Sequence, residues 1–181
     1  GNTVYGDRDL YFHGDNLTYS NNNHYAKELN STRNNVGCPR SLGNNSIFIN
    51  NSFHSGNIGI GVQGGSHSHI TNNSFTNLTS NAVWANTSPK NINISYNYFI
   101  NVNTAVWAGN VSVLDYFENT IHNNTSSFAT YFSGSNINID RNSFTECAAQ
   151  CLLLTNLAYS ANENIFIRDN NFTNYSGNGI Y

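Results

Sequence analysis

Residues 47–53 read IFINNSF, and this stretch decides the fold because the chain keeps returning to it. HITNNSF follows at 69–75, NISYNYF at 93–99, NIDRNSF at 138–144 and FIRDNNF at 166–172. Taking the last residue of each as an anchor, with Ile121 closing the weaker match DYFENTI at 115–121, gives Phe53, Phe75, Phe99, Ile121, Phe144 and Phe172, spaced 22 to 28 residues apart. Two places before each anchor stands an asparagine: Asn51, Asn73, Asn97, Asn119, Asn142 and Asn170. Five places before stand Phe48, Ile70, Ile94, Tyr116, Ile139 and Ile167, and seven before stand Ser46, Ser68, Ile92, Leu114, Ile137 and Ile165. Columns two apart that are mostly apolar describe a strand with one buried face.

A second strand follows each anchor by six to eight residues: Gly59-Ile60-Gly61, Ala82-Val83-Trp84, Ala105-Val106-Trp107, Ala129-Thr130-Tyr131, Cys151-Leu152-Leu153 and Gly179-Ile180-Tyr181. Its middle column has the character of a packed interior, so alternation turns the third column outward. A unit of this length, with short strands and no helical period, is one coil of a solenoid. Equivalent residues of successive coils then stack about 4.8 Å apart. The asparagines are expected to take the left-handed backbone conformation at the turn and to bond amide to amide, with the phenylalanines stacked beside them.

These segments, of the form NIxIxxNxF followed by a small–β-branched–aromatic triplet, resemble the right-handed parallel β-helix repeats of the pectin-lyase-like superfamily. The resemblance covers residues 44–181. It implies an all-β, right-handed parallel β-helix of six to seven coils whose elongated surface holds polysaccharide. The polygalacturonase-type NTD, DD, GHG and RIK segments and the alginate-epimerase DPHE are missing from the sequence. Residues 1–43 fit the period poorly and are expected to form an irregular first coil and cap, with a helical turn over YAKEL at 25–29. At the other end the chain stops at Tyr181 in the middle of a coil, which points to truncation or to a second chain covering the end.

Composition narrows the function. Only 9% of residues are charged, against roughly 25% in ordinary soluble domains, and 37 of the 181 residues are asparagine. With 13% aromatics the chain has material for a core and is not disordered. Seven basic residues and a net charge of −3 leave no stripe for nucleic acid. No apolar run reaches the roughly 18 residues of a membrane helix. The chain contains no Met, so Gly1 is not read as a translation start and any signal peptide is expected to be missing already. Few ionised carboxylates also suit an acidic exterior, because less of the stability then depends on their ionisation.

Three cysteines make no framework; Cys147 and Cys151 can pair, leaving Cys38. Thirteen N-x-S/T sequons lie at Asn16, Asn30, Asn44, Asn50, Asn72, Asn77, Asn86, Asn93, Asn110, Asn123, Asn124, Asn171 and Asn174. That is roughly twice the number composition alone would give. Asn77, Asn123 and Asn174 recur two residues after the anchor in alternate coils, a spacing that leaves room for glycans. N-glycosylation, in a secreted protein, is therefore expected.

Trp84, Trp107 and Tyr131 fall on three consecutive coils, and Tyr181 falls two coils further on. Pointing outward, they make a flat stripe on which sugar rings stack or a sister subunit packs; loops laid over the rings would make them core instead. Glu118, Arg141 and Asp169, with Asp140 and Arg168, alternate in sign along neighbouring coils, as a salt-bridge ladder would. Asp115, Glu118 and Asp140 are the nearest thing to a catalytic set. His67 and His69 share a strand, and His54 is the nearest candidate third ligand, but two solvated histidines account for the pair.

The sequence thus reads as a non-enzymatic, glycosylated extracellular surface protein, a fibre, spike or adhesin module, with glycans or polysaccharide as partner. No cofactor and no metal are implied. The alternatives are a polysaccharide-active lyase, hydrolase or epimerase, and a filament subunit assembling end to end as a homo-oligomer.

Overall fold

The computed structural model describes residues 1–6, 10–26, 39–155 and 164–181. Within them the chain forms only short strands, and each pairs in parallel with the strand three further along. One coil shows the plan. Ile47–Ile49 belongs to a first sheet, Ser52–Gly56 to a second and Ile60–Gln63 to a third; Ser66–Thr71 then returns to the first. The three parallel sheets contain seven, eight and seven strands respectively. They enclose one continuous core, the interior of a β-solenoid.

The columns read from the sequence are the columns of the structure. Phe48, Ile70, Ile94, Tyr116, Ile139 and Ile167 stand in register in the first sheet. The anchors do the same in the second. Phe53, Phe75 and Phe99 stack face to face with centroids 5.0 and 4.9 Å apart, and Phe144 stacks on Phe172 at 4.9 Å. Ile121 interrupts the stack, in the same coil where Tyr116 replaces the aliphatic residue of the first sheet.

The asparagine ladder is continuous through Asn22, Asn51, Asn73, Asn97, Asn119, Asn142 and Asn170. Each member below Asn170 donates its backbone N–H and its amide to the Oδ1 of the next coil's asparagine, at 2.8–3.2 Å. From Asn51 onward the amide also reaches the carbonyl of a strand in the preceding coil, as Asn97 does with Ile70 O at 2.8 Å. These backbone groups are buried by the two-residue turn, and the ladder is what satisfies them.

The left-handed backbone falls elsewhere than expected. It belongs to the residue before each ladder asparagine: Asn21, Asn50, Asn72, Tyr96, Glu118, Arg141 and Asp169 all have positive φ. The ladder asparagine is selected for its amide and not for its backbone. A second left-handed column, two residues after the anchors, holds Ser55, Asn77, Asn101, Asn123, Glu146 and Asn174.

Much of the segment read as an irregular cap continues the solenoid. Thr3–Gly6 and Asn23–Ala26 extend the second sheet, Leu10–Phe12 and Pro39–Ser41 the third, and Thr18–Ser20 the first. His24 takes a place in the phenylalanine column, paired with Phe53. The helical turn expected at 25–29 is not begun, since Tyr25 and Ala26 close a strand; residues 27–29 lie outside the described residues.

Candidate functional site

The third sheet carries the aromatic column, and alternation does turn it outward: Ile60, Val83, Val106, Thr130 and Leu152 are fully buried, while Trp84, Trp107 and Tyr131 remain half-buried at the surface. In register the outward column runs Tyr11, Arg40, Gly61, Trp84, Trp107, Tyr131 and Leu153. Tyr181 lies beyond, its N–H donating to Leu152 O and its carbonyl accepting from Leu154 N.

The rings are not laid out as a flat platform. Trp107 and Tyr131 stack face to face at 5.3 Å, 6° from parallel. The guanidinium of Arg40, only 3% exposed, lies 5.4 Å from the Trp84 ring centre and 5.4 Å from that of Tyr11. Gly61 makes room for it, because a Cβ there would lie 2.8 Å from Arg40 Cγ. Trp107 in turn leans over Gly109, where a Cβ would meet the indole at 2.6 Å. One face of Trp84 is therefore taken by Arg40, and Trp107 and Tyr131 each cover a face of the other. Coils that stack in register stack their side chains face to face, which the expectation of a flat platform had not allowed for.

Among the described residues, Asp115, Glu118 and Asp140 lie away from this column. Asp115 accepts from Asn138 Nδ2 at 3.3 Å, on the outer side of the first sheet. Arg141 bridges Glu118 at 3.2 Å and Asp140 at 3.4 Å, at the turn leading to the second sheet. Asp15 accepts from Asn44, and Glu146 pairs with His122 at 3.7 Å. His67 contacts Asn91 through Nε2, whereas His54 stacks on Tyr25 in another sheet, so the structure does not bring the three histidines together. Among the described residues no three His, Cys, Asp or Glu side chains form a metal-binding group.

A second surface feature was not anticipated. Beside the asparagine ladder, on the outside of the turn, an open groove of about 440 Å³ is lined by Asn21, Asn50, Asn51, Ser52, Asn72, Asn73, Ser74, Tyr96 and Tyr98. A neighbouring hollow of about 360 Å³ shares Asn21, Asn50 and Ser52 and extends it toward Asn2. Tyr96 and Tyr98 are 51% and 44% exposed. The signal was present in the columns: Tyr96 stands where other coils have Asn, Glu, Arg or Asp, and Tyr98 where they have Asn, Ser or Thr.

The sequons separate by environment. Asn16, Asn50, Asn72, Asn77, Asn110, Asn123, Asn171 and Asn174 are exposed; Asn44, Asn86 and Asn93 are half-buried. Asn30 lies outside the described residues. Asn124 is a correction: it is 1% exposed, its amide donates to Asn103 O and Ser126 O, and its Oδ1 accepts from Ala148 N, so this fold has no room for a glycan there. Cys147 and Cys151 are joined by a disulfide with Cα atoms 5.4 Å apart, while Cys38 lies outside the described residues.

Comparison with known proteins bears on the fold. The family model described as a right handed beta helix region matches residues 3–144 and 40–181, two overlapping placements that span nearly the whole chain. No curated protein and no solved structure matches.

Proposed function

The chain belongs to the right-handed β-helix family, and on that premise we propose that it is a non-enzymatic, N-glycosylated surface module of a secreted fibre, spike or adhesin. Its binding face is the third sheet, with Trp84, Trp107 and Tyr131 offering their exposed surface to a polysaccharide. The observation that carries the reading is the placement of the acids. Hydrolysis of a glycosidic bond needs two carboxylates flanking it, and elimination or epimerisation needs a base beside a stabilised anion. Here Asp115, Glu118 and Asp140 are bound to Asn138 and Arg141 on a different side of the solenoid from the aromatic column. Exposed sequons and a disulfide support an oxidising, extracellular setting.

A second occupant for the same face is a sister subunit, favoured by Trp107 and Tyr131 already covering a face of each other. Retention on a panel of polysaccharides, product release and light scattering, compared between the wild type and Trp84→Ala/Trp107→Ala, separate these readings. Retention lost in the variant without product release is expected. Self-association lost in the variant, with no retention by either protein, turns the face into an assembly surface. Product release overturns the proposal and directs attention to Asp115, Glu118 and Asp140.

A further inference from the structure

We infer that the groove beside the asparagine ladder is the seat of the protein's own glycan, carried by Asn72, with Tyr96 and Tyr98 as its walls. This rests on the glycoprotein reading above. Asn72 is the sequon asparagine that lies between Asn50 and Tyr96 in the left-handed column, and Ser74 of the same sequon pairs in register with Tyr98. Asn72 is exposed and Nδ2 makes one hydrogen bond, to Asn50 Oδ1 at 2.7 Å, so its other hydrogen is available for replacement. The acceptor is thus presented inside the groove.

The walls match the chemistry of a first N-acetylglucosamine. A pyranose has an apolar C–H face, which packs on an exposed tyrosine, and its hydroxyls and acetamido group need hydrogen-bond partners. Asn21, Asn50, Ser52 and Ser74, on the lining outside the ladder, supply them. Tyr96 meets Phe117 edge-on at 5.4 Å, yet it is a bulky residue at φ 56 and half of its surface stays exposed. Covered by a sugar, it becomes a packed residue.

The bond-forming step uses a lipid-pyrophosphate-linked oligosaccharide as donor. Nδ2 attacks the anomeric carbon, the C1–O bond breaks, the pyrophosphate leaves with the electron pair, and the amide gives up one proton. Asn50, whose Oδ1 accepts from Asn72 Nδ2, is a second sequon asparagine in the same groove.

The test is secretion of the whole chain from a eukaryotic cell, followed by glycopeptide mass spectrometry and nitration of tyrosines read residue by residue. Asn72→Gln is the unglycosylated reference, and Tyr5 and Tyr181 are internal controls. Expected are an occupied Asn72 and nitration of Tyr96 and Tyr98 several-fold slower than in Asn72→Gln. Trimming to a single N-acetylglucosamine should keep that protection. Equal rates with Asn72 occupied overturn the seat and leave the glycoprotein reading standing. So does an empty Asn72 when Asn77, Asn123 or Asn174 carries sugar. No sugar at any sequon overturns both.

Discussion

Asn97 is held from three directions. Its amide donates to Ile70 O, Ser95 O and Asn119 Oδ1, its backbone N–H donates to Asn119 Oδ1, and its Oδ1 accepts from the backbone and amide of Asn73. Removing one member leaves buried donors and carbonyls of two other coils without partners, and buried networks lose more than one bond's worth when broken. Asn97→Ala is therefore expected to destabilise by about 2–4 kcal/mol, read from urea unfolding. Asn97→Asp should be no better despite its matching shape, because a carboxylate would face the Ile70 and Ser95 carbonyls. Asn72→Ala, on the open side of the same turn, should cost far less. His24 is the opposite case, a polar ring without a polar partner. It is 4% exposed, its Nε2 has no hydrogen bond among the described residues, and it lies against Phe53 and Tyr19. Burial disfavours the imidazolium and lowers its pKa from 6.5 to about 4. Below pH 6.5 the unfolded chain takes up a proton that the folded chain refuses, so this contribution to stability is complete above 6.5 and is lost as pH falls toward 4. The loss should be on the order of 3 kcal/mol. His24→Phe extends the stacked column and should flatten stability over that window. The low count of carboxylates therefore does not by itself make the fold indifferent to acid.

Between neighbouring strands the unit of design is the column, and in one coil two columns exchange volume. The coil with Tyr116 in the first sheet has Ile121 in the second; the coils on either side have isoleucine and phenylalanine in those places. Tyr116 and Ile121 are both fully buried, and Tyr116 meets Phe132 edge-on at 5.1 Å. Ile121→Phe alone should overpack this layer and cost about 1–3 kcal/mol. Tyr116→Ile alone should leave a void but relieve the buried hydroxyl of Tyr116, which has no hydrogen-bond partner among the described residues. The double variant restores the pattern of the coils above and below, and a double-mutant cycle should return a favourable coupling of at least about 1 kcal/mol; zero coupling would mean the two columns are independent. Column identity was legible in the sequence because burial imposes period two within a strand and one fixed period between coils. What was not legible depended on how side chains meet across coils. The left-handed residue lies one place earlier than read, since that position accepts Asn, Tyr, Glu, Arg or Asp and so leaves no single-residue signature. The aromatic column was placed on the correct face, but register stacking took up some of its ring faces. Arg40 belongs to that column only because Gly61 leaves a gap for its side chain. The Tyr96–Tyr98 groove left no signature for a related reason: it consists of two residues that break their columns instead of repeating them.

A solenoid brings each coil into contact with its two neighbours alone, so its stability is close to a sum of coil terms and nearest-neighbour interfaces. The largest fully buried rings, Phe48, Phe75, Phe99, Tyr116, Phe132 and Phe144, all lie on strands flanked on both sides, none on a terminal strand of its sheet. Toward the ends burial thins: Leu10 and Tyr11 are exposed at one, and Ile165, Ile167 and Phe172 are only partly buried at the other. Native-state hydrogen exchange should follow this profile. Amides of Tyr98–Ile100, Thr104–Val111, Thr120–Asn124 and Phe128–Gly134 should be the slowest. Those of Leu10–Phe12 and Ile165–Arg168 should exchange at least about a hundredfold faster, as local opening at the ends requires less than global unfolding. The disulfide closes only the turn between Ser143–Cys147 and Gln150–Thr155, so its reduction should raise exchange there and in the adjoining coils without reaching Thr3–Gly6. Asn97→Ala supplies the decisive comparison. In a one-dimensional stack its loss of protection should be greatest in the coils of Asn73, Asn97 and Asn119 and should fade toward both ends. Equal loss at every amide would instead mean that the whole ladder opens as a single cooperative block, and the nearest-neighbour account of this molecule would have to be given up.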